Sequence, residues 1–298
     1  MARPASPDAI KADFLDWLSG DGQRNVAVAD EYLHDTNADR DWIEEYLNAM
    51  KGPTHTHYAH RRIRVRTTFR IAQDETVGDF GELAEKCVRP PAAHSPALSF
   101  RRLLMHGVHQ TDLHALLTDG FGRAGRAGAK AFWGAGFHFA DCSTKALNWA
   151  ADEDAYTKEH RTDTDEIVPA ASPRLYHVLL CAVALGRPHR SRTPRKKQLD
   201  GRWDDSRVST AMFRPARLVC VPFLERFFAA DGTPHERVQH VNLPVGGLQR
   251  DPEVPATSVQ LPTGVYAEYC VYRPAQIRMA FLAEIVLEEQ PTDDGDAH

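Results

Sequence analysis

The sequence predicts an α+β fold. Its strand-like runs outnumber its helical ones, the two kinds do not alternate in the regular manner of a doubly wound sheet, and no internal repeat appears. The N-terminal part reads as helical. In AIKADFLDWL the residues Ile10, Phe14, Trp17 and Leu18 recur at helical spacing, and Gly20 follows as a stop. A second helix over 41–50 puts Trp42, Ile43, Tyr46 and Leu47 on one face, and Gly52-Pro53 ends it. The period then changes to two. In RRIRVRTTFRI the residues Ile63, Val65, Thr67, Phe69 and Ile71 alternate with Arg and Thr, the pattern of a half-solvated strand. Further strands are predicted over 103–105, 136–140, 175–185, 217–223, 266–272 and 279–287, with one helix after Gly107 and another after Asp141. Asp141 or Ser143 would cap the latter. Residues 187–197 hold six Lys or Arg and read as a solvated basic loop, while the Pro- and Gly-rich stretch 229–263 reads as a second long loop.

Composition excludes several classes. A chain of 298 residues allows one large domain or two small ones. With 36 basic and 41 acidic residues the formal charge is −5, which argues against nucleic-acid binding by the chain as a whole. No stretch approaches the ~20 apolar residues that cross a bilayer, and MARPASPDAIKADFLDW carries acidic residues where a signal peptide needs an apolar run. The expected location is intracellular, in the cytoplasm, with the nucleus as the alternative. Five cysteines without a CxxC pair disfavour a disulfide framework and a thiolate zinc site, and those in apolar runs read as small core residues. The sets His55, His57, His60 and His106, His109, His114 lack zinc spacing, so no metal is expected.

Three segments carry candidate chemistry. His106-Gly107 ends the apolar run LLM; the glycine lets a ligand approach the backbone, and the histidine can donate or accept at a pocket mouth. On its own the dipeptide reads as structural. In WGAGFHFADCSTKALNW, Phe137, His138 and Phe139 form a strand, and Ala146 and Trp149 share a helix face. His138 and Trp149 would sandwich a flat heteroaromatic ring, with ordinary core packing as the alternative. In YAEYCVY, Glu268 is the one carboxylate in a strand apolar on both faces, a costly placement unless the group is paired or used.

Taken in chain order, these segments resemble the catalytic domain of the poly(ADP-ribose) polymerase family, a diphtheria-toxin-like ADP-ribosyltransferase. FRRLLMHG resembles the family's "LLWHG", WGAGFHFADCSTKALNW its "GxGIYFAD…SKSxxY", LLCAVALG its "LLxEVALG" and YAEYCVYRPAQI its "NEYxVYxxxQ". The likeness spans about residues 40–288. It implies two packed, mostly antiparallel sheets that form an NAD+ crevice with flanking helices. It also implies a catalytic domain over 41–289, preceded by a short helical extension over 1–40 and followed by an acidic tail over 290–298. By that resemblance His106 would hydrogen-bond the adenosine ribose, Gly107 would grip the nicotinamide carboxamide, and Glu268 would be the catalytic glutamate. His138 and Trp149 would stand at the family's two stacking tyrosines, and Val108, Asp112, Phe139 and Ala146 would fall at further NAD+-contacting positions.

The departures from the family carry their own expectations. The His-Tyr-Glu triad becomes His106-His138-Glu268, and a neutral imidazole at His138 would stack while its protonation would oppose a cationic nicotinamide, lowering activity at low pH. Ala146 replaces a serine hydroxyl that binds the carboxamide, a loss of ~1 kcal/mol, so NAD+ binding is expected to be weaker than in a member that keeps the serine. The implied reaction cleaves the nicotinamide N-glycosidic bond and transfers ADP-ribose to an acceptor, with protein favoured, nucleic acid as the alternative, and mono- or polymer transfer left open. A degenerate NAD+- or ADP-ribose-binding module is the remaining reading.

Overall fold

The strand Tyr176–Ala184 is buried at every position, which requires a core on each of its faces. Leu179, Cys181 and Val183 enter one core, and Val178, Leu180 and Ala182 enter the other. The computed structural model containing it describes residues 33–35, 37–55, 58, 60–71, 73–74, 101–121, 136–150, 175–186, 189–191, 206–209, 211–228, 234–252, 254 and 265–289. The predicted helix around Ile10 to Leu18, most of the basic loop and the acidic tail lie outside them.

In chain order the strands are β1 (Leu33–Asp35), β2 (Arg61–Ile71), β3 (Gln73–Asp74), β4 (Arg101–Val108), β5 (Phe137–Ala140), β6 (Tyr176–Ala184), β7 (His189–Ser191), β8 (Arg207–Ser209), β9 (Phe213–Phe228), β10 (Pro234–Arg250), β11 (Glu268–Val271) and β12 (Ile277–Glu289). The helices are α1 (Asn37–Ala49), α2 (Gln110–Asp119) and α3 (Ser143–Ala150). All strands join one hydrogen-bonded network in the order β1-β2-β12-β6-β4-β5-β11-β8-β7, with β10 on β4, β9 on β10 and β3 on β9. Pairing is antiparallel except for β4/β10, β3/β9 and β7/β8. The α+β class is as expected; the strands make one mixed sheet that forks at β4, whose edge away from β6 meets β10 at Arg102 and β5 at Met105. None of the described helices is long and apolar enough to cross a membrane.

The alternation read in β2 is present, with a twist. A register shift between Glu284 and Ile285 of β12 passes two β2 residues for one. Ile63 and Val65 therefore face the second core while Phe69 and Ile71 face the first. Helix α1 begins one turn earlier than predicted and buries Ile43, Leu47 and Met50 against β2. Its Glu44 accepts from Arg62 Nη2 (2.7 Å) and Arg64 Nη1 (3.0 Å), so two strand arginines clamp the helix. The stretch 229–263 is corrected from loop to strand over β10. Pro234 opens that strand, and Gly246 and Gly247, at φ 81° and 74°, form a bulge between Val245 and Leu248.

Helices α2 and α3 lie on opposite faces of β4. α2 buries Leu113 and Leu116 in the first core, and α3 buries Ala146, Leu147 and Ala150 in the second. The α3 contact depends on Gly107. A Cβ there would stand 1.8 Å from Ala146 O and 2.9 Å from Ala150 N, both backbone atoms that have no room to yield. Gly107→Ala is expected to cost about 3 kcal/mol, measured by urea unfolding. A cost below about 0.5 kcal/mol would show that α3 is free to move off β4.

Candidate active site

Antiparallel pairing of β5 with β11 sets Cys270 directly opposite His138 and Glu268 opposite Ala140. His138, Cys270 and Glu268 thus project from one face, Glu268 diagonal to His138. His138 Nδ1–H donates to Glu268 Oε1 at 2.5 Å, and its Nε2 lies 3.7 Å from Cys270 Sγ. Lys145 Nζ, from α3, donates to Glu268 Oε2 at 3.0 Å. The register of β4 with β5 is the single pair Met105↔Ala140, so the strands part beyond Met105. The His106 ring spans that parting: its Nδ1 is 2.7 Å from His138 O and, facing a carbonyl, carries the proton. Its Nε2 is then an acceptor. Phe121 and Phe139 pack against the His106 ring at 5.1 and 5.3 Å.

These surroundings set the charges. Burial holds His106 down to about 4, so it is neutral at pH 7. At Glu268 burial favours the acid, but the His138 hydrogen bond and the Lys145 charge outweigh it and hold the carboxyl well below its usual range. At His138 burial again opposes charge and is outweighed by Cys270 and Glu268, which hold the imidazole protonated at neutral pH. This corrects the expectation of a neutral, stacking imidazole that charges only in acid.

The opposite face of β11 is anchored separately. Tyr269 O–H donates to Asp141 Oδ2 (2.6 Å) and accepts from Arg102 Nη1 (2.7 Å). Asp141 is therefore engaged with β11 rather than acting as a helix cap, and Ser143 O–H donates to Leu47 O at 2.7 Å. Helix α3 is held by the chain that leads into β2. Gly52 N–H donates to Thr144 Oγ1 (3.0 Å), His55 Nδ1 bonds the same oxygen (2.6 Å), and Tyr58 O–H donates to Asn148 Oδ1 (2.6 Å). Thr54 N–H donates to the hydroxyl of Tyr266 (2.8 Å), two residues before Glu268. The ends of the Lys145–Glu268 pair are thus tied to one segment.

A family model of the poly(ADP-ribose) polymerase catalytic domain matches residues 38–207, more than half of the 298-residue chain. The chain belongs to the poly(ADP-ribose) polymerase family. No curated protein matched it. NAD+ is the substrate of this family's catalytic domain, and ADP-ribosyl transfer is its general activity. The matched segment contains His106, Gly107, His138, Lys145 and Trp149 but ends before Glu268; the pairing of β11 with β5 brings Glu268 to it.

Not every residue singled out in the sequence meets this cluster. Val108 is buried in the first core, Phe139 is buried there and reaches the cluster only through the His106 ring, and Ala146 is packed on Gly107. Asp112 is exposed in the first turn of α2. Trp149 is 65% exposed on α3. Lys145 was not singled out, although it is the one charged residue in STKALNWA. Cys270 read as a core residue, because only strand pairing reveals its neighbour.

The charges predict an acid limb for stability. Folded His106 stays neutral to about 4, whereas the unfolded chain binds its proton near ~6.5. Stability is therefore lost as pH falls from 6.5 through 4. Below that, protonation of Glu268 continues the decline. Melting temperature measured between pH 7 and 4 should fall less steeply in His106→Gln, which keeps a donor for the His138 carbonyl. Equal slopes would remove His106 as the cause.

Proposed function

We propose that the domain cleaves the bond between nicotinamide and ribose in NAD+ and passes ADP-ribose to an acceptor, with protein favoured. The observation that carries this reading is Glu268, a carboxylate only 4% exposed that stands opposite Ala140, the β5 residue paired with β4, and is kept anionic by Lys145 and His138. Departure of nicotinamide with the bonding electron pair leaves an oxocarbenium-like ribose. A fixed, desolvated carboxylate stabilises that positive charge. Because its pKa is held low, Glu268 is a weak base, so its part is electrostatic and orienting rather than removal of the acceptor's proton.

The resident cations shape substrate binding. Two unit charges 4 Å apart at an effective dielectric of 20 repel by about 4 kcal/mol. A nicotinamide cation beside His138 therefore favours the imidazole without its extra proton. Given the raised pKa of His138, KM for NAD+ should fall as pH is raised from about 6 to about 9. A flat KM over that range would take the His138 charge out of the account. Trp149, exposed on α3, offers the stacking face on this reading.

A second reading, a module that binds NAD+ or ADP-ribose without turnover, is favoured by the occupation of both Glu268 oxygens by His138 and Lys145. Incubation with adenine-labelled NAD+ beside Glu268→Gln separates the two. Wild type should label protein and release nicotinamide, while the variant should lose more than about a hundredfold in turnover with NAD+ affinity within about threefold. A ladder means polymer, and a single shifted band means mono-transfer. Label that nuclease removes and protease does not would make nucleic acid the acceptor. Equal turnover in the two proteins would overturn the role of Glu268, and no nicotinamide from either would favour the binding module.

A further inference from the structure

Among the described residues, Cys270 touches the cluster through the His138 ring, and the proposed chemistry leaves its thiol unused. It is a free thiol with 0% exposure, and its sulfur sits in space that Gly136 leaves open, since a Cβ on Gly136 would stand 2.4 Å from Sγ. Its order in space with His138 and Glu268, sulfur to imidazole to carboxylate, is that of a nucleophile, its base and the group that orients the base. Burial decides against the nucleophile. A sulfur sealed beneath Gly136 offers no approach for the ribose carbon it would have to attack.

What the sulfur does offer is a partner that suits either form of the ring. A protonated His138 donates from Nδ1 to Glu268 and from Nε2 to the sulfur. A neutral His138 that still donates from Nδ1 presents a lone pair at Nε2, and the thiol S–H can turn to meet it. An apolar side chain would take that sulfur contact away from Nε2 in both forms. We propose that Cys270 is a positioning residue, holding the His138 ring in one orientation whether or not it carries the second proton, so that Glu268 stays in place when a nicotinamide cation displaces that proton. The inference rests on the NAD+ reading above for its final clause only.

The titratable and charged groups around His138 include Glu268 and Cys270 from β11, His106 from β4, Lys145 from α3 across Glu268, and Tyr272, which lies against Gly136 just past the end of β11. His106 stays neutral above about 4, so it adds no charge change in the neutral range. Replacing Cys270 alters the ring's Nε2 contact while leaving the carboxylate and its lysine in place.

The test compares wild type, Cys270→Val and Cys270→Ser, each first checked for a cooperative melt. Ring 15N shifts of His138 are followed against pH without NAD+. The valine variant should lower the His138 midpoint by about one unit or more and broaden or split the ring signals as the orientation is lost. The serine variant, able to donate and accept, should return the midpoint to within about half a unit. With NAD+, kcat should fall about tenfold or more in the valine variant, with a smaller change in KM, and recover with serine. A His138 midpoint and kcat unchanged by valine would overturn the proposal, as would ADP-ribose found on Cys270 by peptide mass analysis. If wild type releases no nicotinamide, the transferase reading fails while the NMR comparison still decides whether Cys270 orients the ring.

Discussion

A carboxylate taken out of water must be given positive charge or lose its own, and the arrangement around Glu268 follows from that constraint. Three elements distant in sequence converge to meet it. Helix α3 supplies Lys145, β5 supplies His138, and β11 supplies the glutamate itself. Each is then anchored a second time away from the carboxylate: α3 through Thr144 and Ser143, β5 through Asp141 just past its end, and β11 through Tyr269 and Tyr266. The density of these anchors fits a charge that has to be held in register to a fraction of an ångström.

The place of the cluster is set by the sheet. A strand buried on both faces, β6, forces helices onto both sides of its neighbour β4. With α2 below and α3 above, β4 is the line along which the sheet forks, and His106-Gly107 lies just past the fork. The two residues divide the work of that position. The glycine lets α3 come down onto the strand, and the histidine ring crosses the gap to β5.

Much of this was legible in the sequence. The α+β class followed from strands that outnumber helices, and the β4, β5, β6 and β12 runs showed as short apolar segments. Glu268 stood out because one carboxylate in YAEYCVY has no local partner. What the sequence hid was of two kinds. Bulges move residues between faces without changing the printed alternation, as in β2, and they let proline and glycine enter a strand, as in β10. Contacts made across strands also leave no local trace. Lys145 belongs to a short helix and Cys270 to an apolar run, and each gains its meaning only from a residue more than a hundred positions away. The charge on His138 is hidden for the same reason, because it is a property of its neighbours.

The contact at Gly107 has a mechanical consequence. Ala146 O occupies the space that any side chain there would need, and hydrogen bonds from 47–58 grip the same helix, so α3 and β4 make a fixed jaw. The facing limb, β5 with β11, is hydrogen-bonded to β4 at one register pair. Side chains close the remaining span, His106 to the His138 carbonyl and Arg102 to the Tyr269 hydroxyl, so the width of the opening is set by the lengths of those side chains rather than by backbone pairing.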